Sequence, residues 1–373
     1  MRDYLLADDL SGALDAAAAF QQQGRRVLIV WSLASWGTAP PDAFVAYTTE
    51  TRNAPPASAA ATVAAFIAHA GASGGRLCFK KIDSTLRGPI AAELRAVFEA
   101  MPNVRLLFAP ANPAVGRTVR RGELQVHGVP VAATDFARDP QSPILQSDLR
   151  VLLGDLPRDH VLIPDTETEA DLTAAVSAIA VTGLPWLPVG SGALARAVAN
   201  QGRTWASNQA PVPRAVSSGP RLFICGSAHP LNRTQADALR HQRGVASCEI
   251  RMADLAGTVK TAVAILNQSG ALSLVVAPLR INSGVALRAI AQVSAEVIAL
   301  AKVTRLFVTG GESAFALCRT LEVSALELLT SIEPGVVLAR AEGWAETLLM
   351  AVKPGGFGDA DTWIRVWDHF AVT

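Results

Sequence analysis

The sequence predicts an α/β protein of two domains, each a mostly parallel sheet flanked by helices. Three observations carry that expectation. Short apolar runs alternate with Ala-rich helical stretches from the first residue onward, which is the rhythm of βα units. A chain of 373 residues is longer than one hydrophobic core usually organises. Near the middle an aperiodic stretch with several prolines, residues 202–220 (GRTWASNQAPVPRAVSSGP), breaks the rhythm, which then restarts.

Taken in order, the first half offers apolar strand candidates at residues 4–7, 27–31, 44–47, 77–80, 104–109 and 161–164, separated by helical periodicity at 13–23, 57–70, 90–100 and 171–179. Between 116 and 149 the chain is poor in periodicity and rich in Pro, Asp and Arg, so it is expected to be irregular. After the break, strands are expected at RLFICGS (221–227), ALSLVVAP (271–278), RLFVTGG (305–311) and the run ending at Lys353. The domains are therefore placed at 1–203 and 220–373.

Composition narrows the function. Half of the residues are hydrophobic, 17% are charged and the formal net charge is +1. Basic residues form no stripe that could neutralise a nucleic-acid backbone, so nucleic acid is not expected as a partner. Cys78, Cys225, Cys248 and Cys318 are widely spaced and read as buried reduced thiols rather than a metal site. The six histidines also lack metal-ligand spacing, and His229 reads as a helix-start residue. The opening MRDYLLADDL places two aspartates inside its apolar run, and no later segment reads as a clean span, so neither export nor a membrane is expected and the cytoplasm is the default compartment.

Several strand ends carry chemistry instead of packing. In LLADDLSGALD the first strand ends at Asp8 and Asp9 and turns into a helix; in a parallel sheet those carboxylates either face the ligand crevice or, for Asp9 and Ser11, cap the helix. CFKKIDSTLRG packs Lys80, Lys81, Asp83, Ser84, Thr85 and Arg87 directly after a strand, a cluster suited to an anion because a guanidinium holds a carboxylate with two hydrogen bonds. The segment 109–143 places Asn112, Arg117, Arg138 and Asp139 in what is either a specificity loop or a surface excursion. In the second half ICGSAHP, FVTGGESA and VKPGGFGD put glycines and a lysine at strand ends, where exposed N–H groups suit phosphate oxygens. None of them is a P-loop or a dinucleotide fingerprint, which argues against a dehydrogenase.

With those residues in view the chain resembles the four-carbon acid sugar kinase family: LLADDLSGALD, KKIDSTLRGPIAAEL, APANPAVGRT and ARDPQSP in the first half, GGESA and KPGGFGD in the second. The resemblance runs from residue 5 to about 358. It implies an N-terminal sugar-acid-binding domain, a C-terminal nucleotide-binding domain, and ATP-dependent phosphorylation of the 4-hydroxyl of threonate, erythronate or 3-oxo-tetronate with Mg²⁺. It also implies a sugar-acid site of Asp8, Asp9, Lys81, Asp83, Ser84 and Arg87, joined by Asn112 and Arg117, and ATP contacts from Ser227, Gly310, Gly311, Glu312, Ser313 and Gly355, to which the glycine-loop reading adds Lys353 and Gly356. One of Asp8, Asp9 or Asp83 is expected to be the base, no protein-built metal site is expected, and a homodimer is left open. The chain departs from the family pattern at Ser11 and at Ala228, His229 and Pro230. The rival function is a sugar-acid-binding regulatory module without phosphoryl transfer.

Overall fold

The computed structural model describes residues 1–139, 141–201, 219–227, 229–276, 283–344 and 347–372. The chain divides into two compact units, Met1–Gln209 and Ala210–Thr373. Most of the 202–220 break and Ala228 lie outside the described residues.

Unit 1 runs β1 (Arg2–Ala7), α1 (Leu10–Gln21), β2 (Val27–Val30), α2 (Leu33–Thr38), β3 (Phe44–Thr48), α3 (Pro56–Ala72), β4 (Gly75–Lys81), α4 (Ile90–Ala100), β5 (Arg105–Ala109), β6 (Arg117–Arg120), β7 (Glu123–Val126), β8 (Val129–Pro130), α5 (Leu149–Leu153), β9 (Val161–Leu162), α6 (Glu169–Ala180), β10 (Trp186–Gly190) and α7 (Gly192–Asn200). Its main sheet has the order β2-β3-β1-β4-β10-β5-β9 with every pair parallel. The strands are apolar on both faces because helices cover both, as in β1, where all residues after Arg2 are buried. Aromatic packing pins the sheet: Phe20 stacks on Phe44 at 4.2 Å, and Tyr4 meets Trp36 and Phe66 edge-on. The chain fills β2 and β3 on one side of β1 and then crosses to β4 on the other. That reversal opens a crevice at the carboxyl ends of β1 and β4, the usual ligand position in such sheets.

Unit 2 runs β11 (Arg221–Cys225), α8 (Pro230–Arg243), β12 (Ala246–Ile250), α9 (Leu255–Ser269), β13 (Ala271–Val276), α10 (Ser283–Ala301), β14 (Arg305–Thr309), α11 (Gly311–Thr320), β15 (Ala325–Glu333), β16 (Val336–Glu342), β17 (Leu348–Lys353) and α12 (Thr362–Val372). The strand order is β12-β13-β11-β14-β17-β16-β15, parallel from β12 to β17, with β16 antiparallel to both neighbours. Phe223, Phe307, Trp363 and Phe370 are fully buried at its centre. Here the reversal falls between β11 and β14.

Three expectations need correction. The stretch 116–149 is irregular only in its later part: β6, β7 and β8 form an antiparallel three-stranded sheet whose tight turns carry Arg121 and His127 at positive φ. Strand β10 escaped notice because of its prolines; it meets β4 only at Val189 and Gly190, so Pro188 sits before that ladder begins. Finally, α10 contains an 18-residue stretch, Gly284–Ala301, long and apolar enough to cross a membrane by length and composition, although it packs against α9 and α11. Among the described residues no cysteine is in a disulfide, with Cys248 and Cys318 buried and Cys78 and Cys225 partly so.

Candidate active site

At the carboxyl edge of unit 1 the sequence-predicted residues meet around a residue the sequence reading missed. Arg52, in the loop after β3, donates Nε to Asp8 Oδ2 at 2.8 Å and Nη2 to Asp8 Oδ1 at 2.9 Å. The same guanidinium donates to Asp9 Oδ1 at 2.6 Å and lies 3.8 Å from Asp83 Oδ1. Three carboxylates from two strand ends are thereby tied to one planar cation. The loop holding Arg52 is itself anchored, because Thr51 and Arg52 donate their backbone N–H groups to the Asp8 carbonyl.

Both readings of Asp9 hold at once. It caps α1 by accepting from Gly12 N at 2.8 Å, which starts the helix three residues earlier than its apolar periodicity suggested, and it pairs with Arg52. Asp83 accepts from Arg87 Nε and Nη2, both at 3.0 Å, and from Thr85. Burial pushes Asp83 up, but Arg87, Arg52 and Arg117 overcome it and hold the carboxyl well below the usual carboxylate range. Asp8 follows the same pattern: burial opposes ionisation, Arg52, Lys80 and Lys81 favour it, and the net displacement is downward.

Lys80 and Lys81 divide into two roles. Lys80, fully buried, pairs with Glu93 of α4 at 2.6 Å, and Glu93 also accepts from the Thr51 hydroxyl, bracing the Arg52 loop from below. Lys81 is 5% exposed and donates only to the Ile82 carbonyl, at 2.9 Å, among the described residues. Its ammonium lies beside the start of α1, where a side-chain carbon built on Gly12 would come within 3.0 Å of Nζ. An ammonium has three N–H groups, so two remain for a ligand.

Ser84 accepts from Arg117, which also lies over the Phe136 ring, and Arg117 pairs through backbone with Asn112. Among the described residues the buried Asn112 amide oxygen has no hydrogen-bond partner. Asp139 lies 3.7 Å from Arg87, and Ser142 accepts from Gly88 N at 2.9 Å, so the end of the 109–143 segment lies against the CFKKIDSTLRG strand end. Seven of the eight candidates, Asp8, Asp9, Asp83, Ser84, Arg87, Asn112 and Arg117, are thus joined through Arg52, Arg87 and Arg117, and Lys81 lies beside them without a hydrogen bond into the network.

In unit 2 the glycine turns converge at the carboxyl ends of β11, β14 and β17. Ser313 donates to the Gly226 carbonyl at 3.0 Å, and Gly310 N donates to the Lys353 carbonyl at 2.8 Å. A side-chain carbon on Gly226 would lie 2.3 Å from Ser313 Oγ, and one on Gly355 2.2 Å from Ser227 Oγ; Gly310 turns the chain at φ +95°. Gly356 lies against the His229 ring, and His229 caps α8 by accepting from Leu231 N. Gly311 and Glu312 open α11, with Glu312 exposed. Lys353 departs from its expected place. Fully buried, it donates to Asn232 Oδ1 and to the carbonyls of Pro354, Gly355 and Phe357 at 3.0–3.1 Å, leaving no N–H for a phosphate. Burial draws its pKa down to about 8, and its work is to fold the glycine loop around itself.

A family model described as a sugar-binding N-terminal domain matches residues 4–158, and one described as a nucleotide-binding C-terminal domain matches residues 222–363. The chain is 31% identical to D-threonate kinase of Bordetella bronchiseptica, over 97% of this chain and 95% of that protein. It is 27% identical to 3-oxo-tetronate kinase of Methylobacterium radiotolerans, over 98% of each. A crystal structure from Salmonella typhimurium LT2, provisionally described as a tRNA synthase, superposes with a TM-score of 0.81 over 99% of each chain at 22% identity, a likeness of fold.

Proposed function

The chain belongs to the four-carbon acid sugar kinase family, and from that premise we propose that it moves the γ-phosphoryl group of ATP to the 4-hydroxyl of threonate, erythronate or 3-oxo-tetronate. The observation that carries this reading is the Lys81 ammonium, buried beside Arg52-bound aspartates with two N–H groups unspent. A buried ammonium that meets no carboxylate at hydrogen-bond distance is costly unless a ligand supplies the closer anion. A small sugar acid does so with its carboxylate, and Arg87 and Arg117 stand in the same cluster to share it. Ser84 and the unpartnered Asn112 oxygen then suit its hydroxyls. Asp8, Asp9 and Asp83 orient Arg52 and the substrate.

At Gly226, Ser227, Gly310, Gly311, Ser313, Gly355 and Gly356 the glycines let the strand-end turns pack closely on one another, and the hydroxyls and backbone N–H groups of these turns would hold a nucleotide phosphate. Mg²⁺ would arrive on the nucleotide phosphates. Glu312 is the residue that would ligate it. ATP supplies the phosphoryl group and Mg²⁺ neutralises its charge.

The test is ADP release, followed by a coupled assay, across D- and L-threonate, D- and L-erythronate and 3-oxo-tetronates. Release well above the acceptor-free rate with at least one acid is expected. A panel in which no acid raises it overturns the reading.

A further inference from the structure

Glu50 is one of the acids at this edge that the ion-pair network leaves out. Asp8 and Asp83 have both carboxylate oxygens engaged by guanidinium groups, Asp9 is taken by Arg52, Ser11 and the start of α1, and Glu93 is taken by Lys80 and Thr51. Glu50 accepts only from the Thr48 hydroxyl, at 2.5 Å, and among the described residues no cation lies within ion-pair distance of it. It stands two residues beyond β3, partly buried, with φ at +53°, a conformation that side chains other than glycine rarely adopt. Its neighbours explain how it is kept there. Thr49 donates its N–H to the Ala7 carbonyl and Thr51 to the Asp8 carbonyl, so the loop is stitched to the end of β1 on both sides of Glu50. Strained positions that the surroundings over-determine cluster at functional sites.

We propose that Glu50 is the general base that accepts the proton of the attacking sugar-acid hydroxyl, an assignment that rests on the kinase reading above. In that step the hydroxyl oxygen bonds to the γ-phosphorus as its proton passes to the Glu50 carboxylate. The bond from the γ-phosphorus to the bridging oxygen breaks, and ADP leaves with that electron pair. Glu50 then returns the proton to solvent.

The charges facing Glu50 are Asp9 and Asp8 from the end of β1 and Arg52 from its own loop. Burial, followed by the negative charge of Asp9, pushes its carboxyl up to about 8, against the pull of Thr48 and Arg52. A base whose pKa lies near the working pH balances the fraction ready to accept a proton against its affinity for one. Asp8 and Asp83, held low by their guanidinium partners, are weak proton acceptors at the same edge.

The experiment compares wild type, Glu50→Gln and Glu50→Asp from pH 6 to 10. Glu50→Gln should lower kcat by about 100-fold or more, the range of general-base contributions. KM for the acid should hold, and the acidic limb of kcat/KM with a midpoint near 8 should disappear. Glu50→Asp should keep a limb at reduced kcat. An activity-independent readout accompanies these. Because the carboxyl of Glu50 is raised in the folded state, its ionisation costs stability as pH climbs from 4.5 to about 8, so the melting temperature of Glu50→Gln should gain on wild type between pH 5 and 9. Unchanged kcat in Glu50→Gln, a limb that persists, or a melting difference indifferent to pH overturns the assignment alone. A wild type that turns over no sugar acid overturns the kinase reading and this one with it.

Discussion

Arg52 grips Asp8 through two hydrogen bonds, Nε to Oδ2 at 2.8 Å and Nη2 to Oδ1 at 2.9 Å, and so joins the end of β3 to the end of β1. Both side chains are nearly buried, at 12% and 4% exposure, and the cation serves Asp9 and Asp83 as well. Removing it leaves Asp8 without a guanidinium and takes a cation from Asp9 and Asp83.

Arg52→Ala should therefore cost about 3–5 kcal/mol of stability, the usual effect of deleting one partner of a buried ion pair. Arg52→Lys keeps the charge but not the flat fork, so it should recover much of the stability while kcat stays at least about tenfold down. Urea titration with steady-state kinetics on both variants checks this. Full activity in the lysine variant would mean that charge alone suffices.

Acid should weaken unit 1 through Asp83. Its folded pKa lies well below 3.8, so the stability it contributes is present at neutral pH and is lost as pH falls from about 4 through the folded value. The stability gap between wild type and Asp83→Asn should accordingly narrow from pH 7 to pH 3, opposite in sign to the pH trend expected for Glu50. Melting temperatures at pH 7, 5 and 3.5 measure it, and a gap of constant width rules out the paired carboxylate as its cause.

How far the sequence discloses this site depends on what each residue's neighbours in the chain can say. Lys81, Asp83, Ser84 and Arg87 follow an apolar strand in one dense polar run, and both the strand and its position at the crevice can be read locally. Arg52 carries a similar signal in TTETRNAPP, directly after the apolar run FVAY, but its threonines and prolines read equally as a solvated loop. What gives Arg52 its place is that β3 lies beside β1, a pairing between strands separated by a whole βαβ excursion that no local periodicity records. Lys353 shows the converse limit. A lysine among glycines suggests a phosphate contact, and only the direction of its ammonium, inward onto the carbonyls of residues 354, 355 and 357, reveals a structural role.

Lys81 should separate binding from stability. Its ammonium is buried with one protein hydrogen bond, so Lys81→Met removes a cost of folding along with a ligand contact. The expected result is a protein as stable as wild type or more so, whose affinity for the sugar acid falls by about 10–100-fold, the value of one charged hydrogen bond, while its affinity for ATP is unchanged. Calorimetric titration with each ligand and a thermal melt decide it. Lost stability with retained affinity would make Lys81 a packing residue.

The nucleotide cradle should be equally intolerant of small additions. On Gly226 a methyl group would meet Ser313 Oγ at 2.3 Å and the Thr309 backbone carbonyl at 2.6 Å, and the carbonyl cannot swing aside. On Gly355 it would meet Ser227 Oγ at 2.2 Å, which can rotate away, and Ser227 Cβ at 2.9 Å, a smaller overlap. Gly226→Ala should therefore raise KM for ATP more than Gly355→Ala does, and neither should change sugar-acid binding measured without nucleotide. Equal, negligible effects of the two variants on KM for ATP would place the phosphates elsewhere on unit 2, because turns packed this closely cannot take a methyl group without shifting the N–H groups they present.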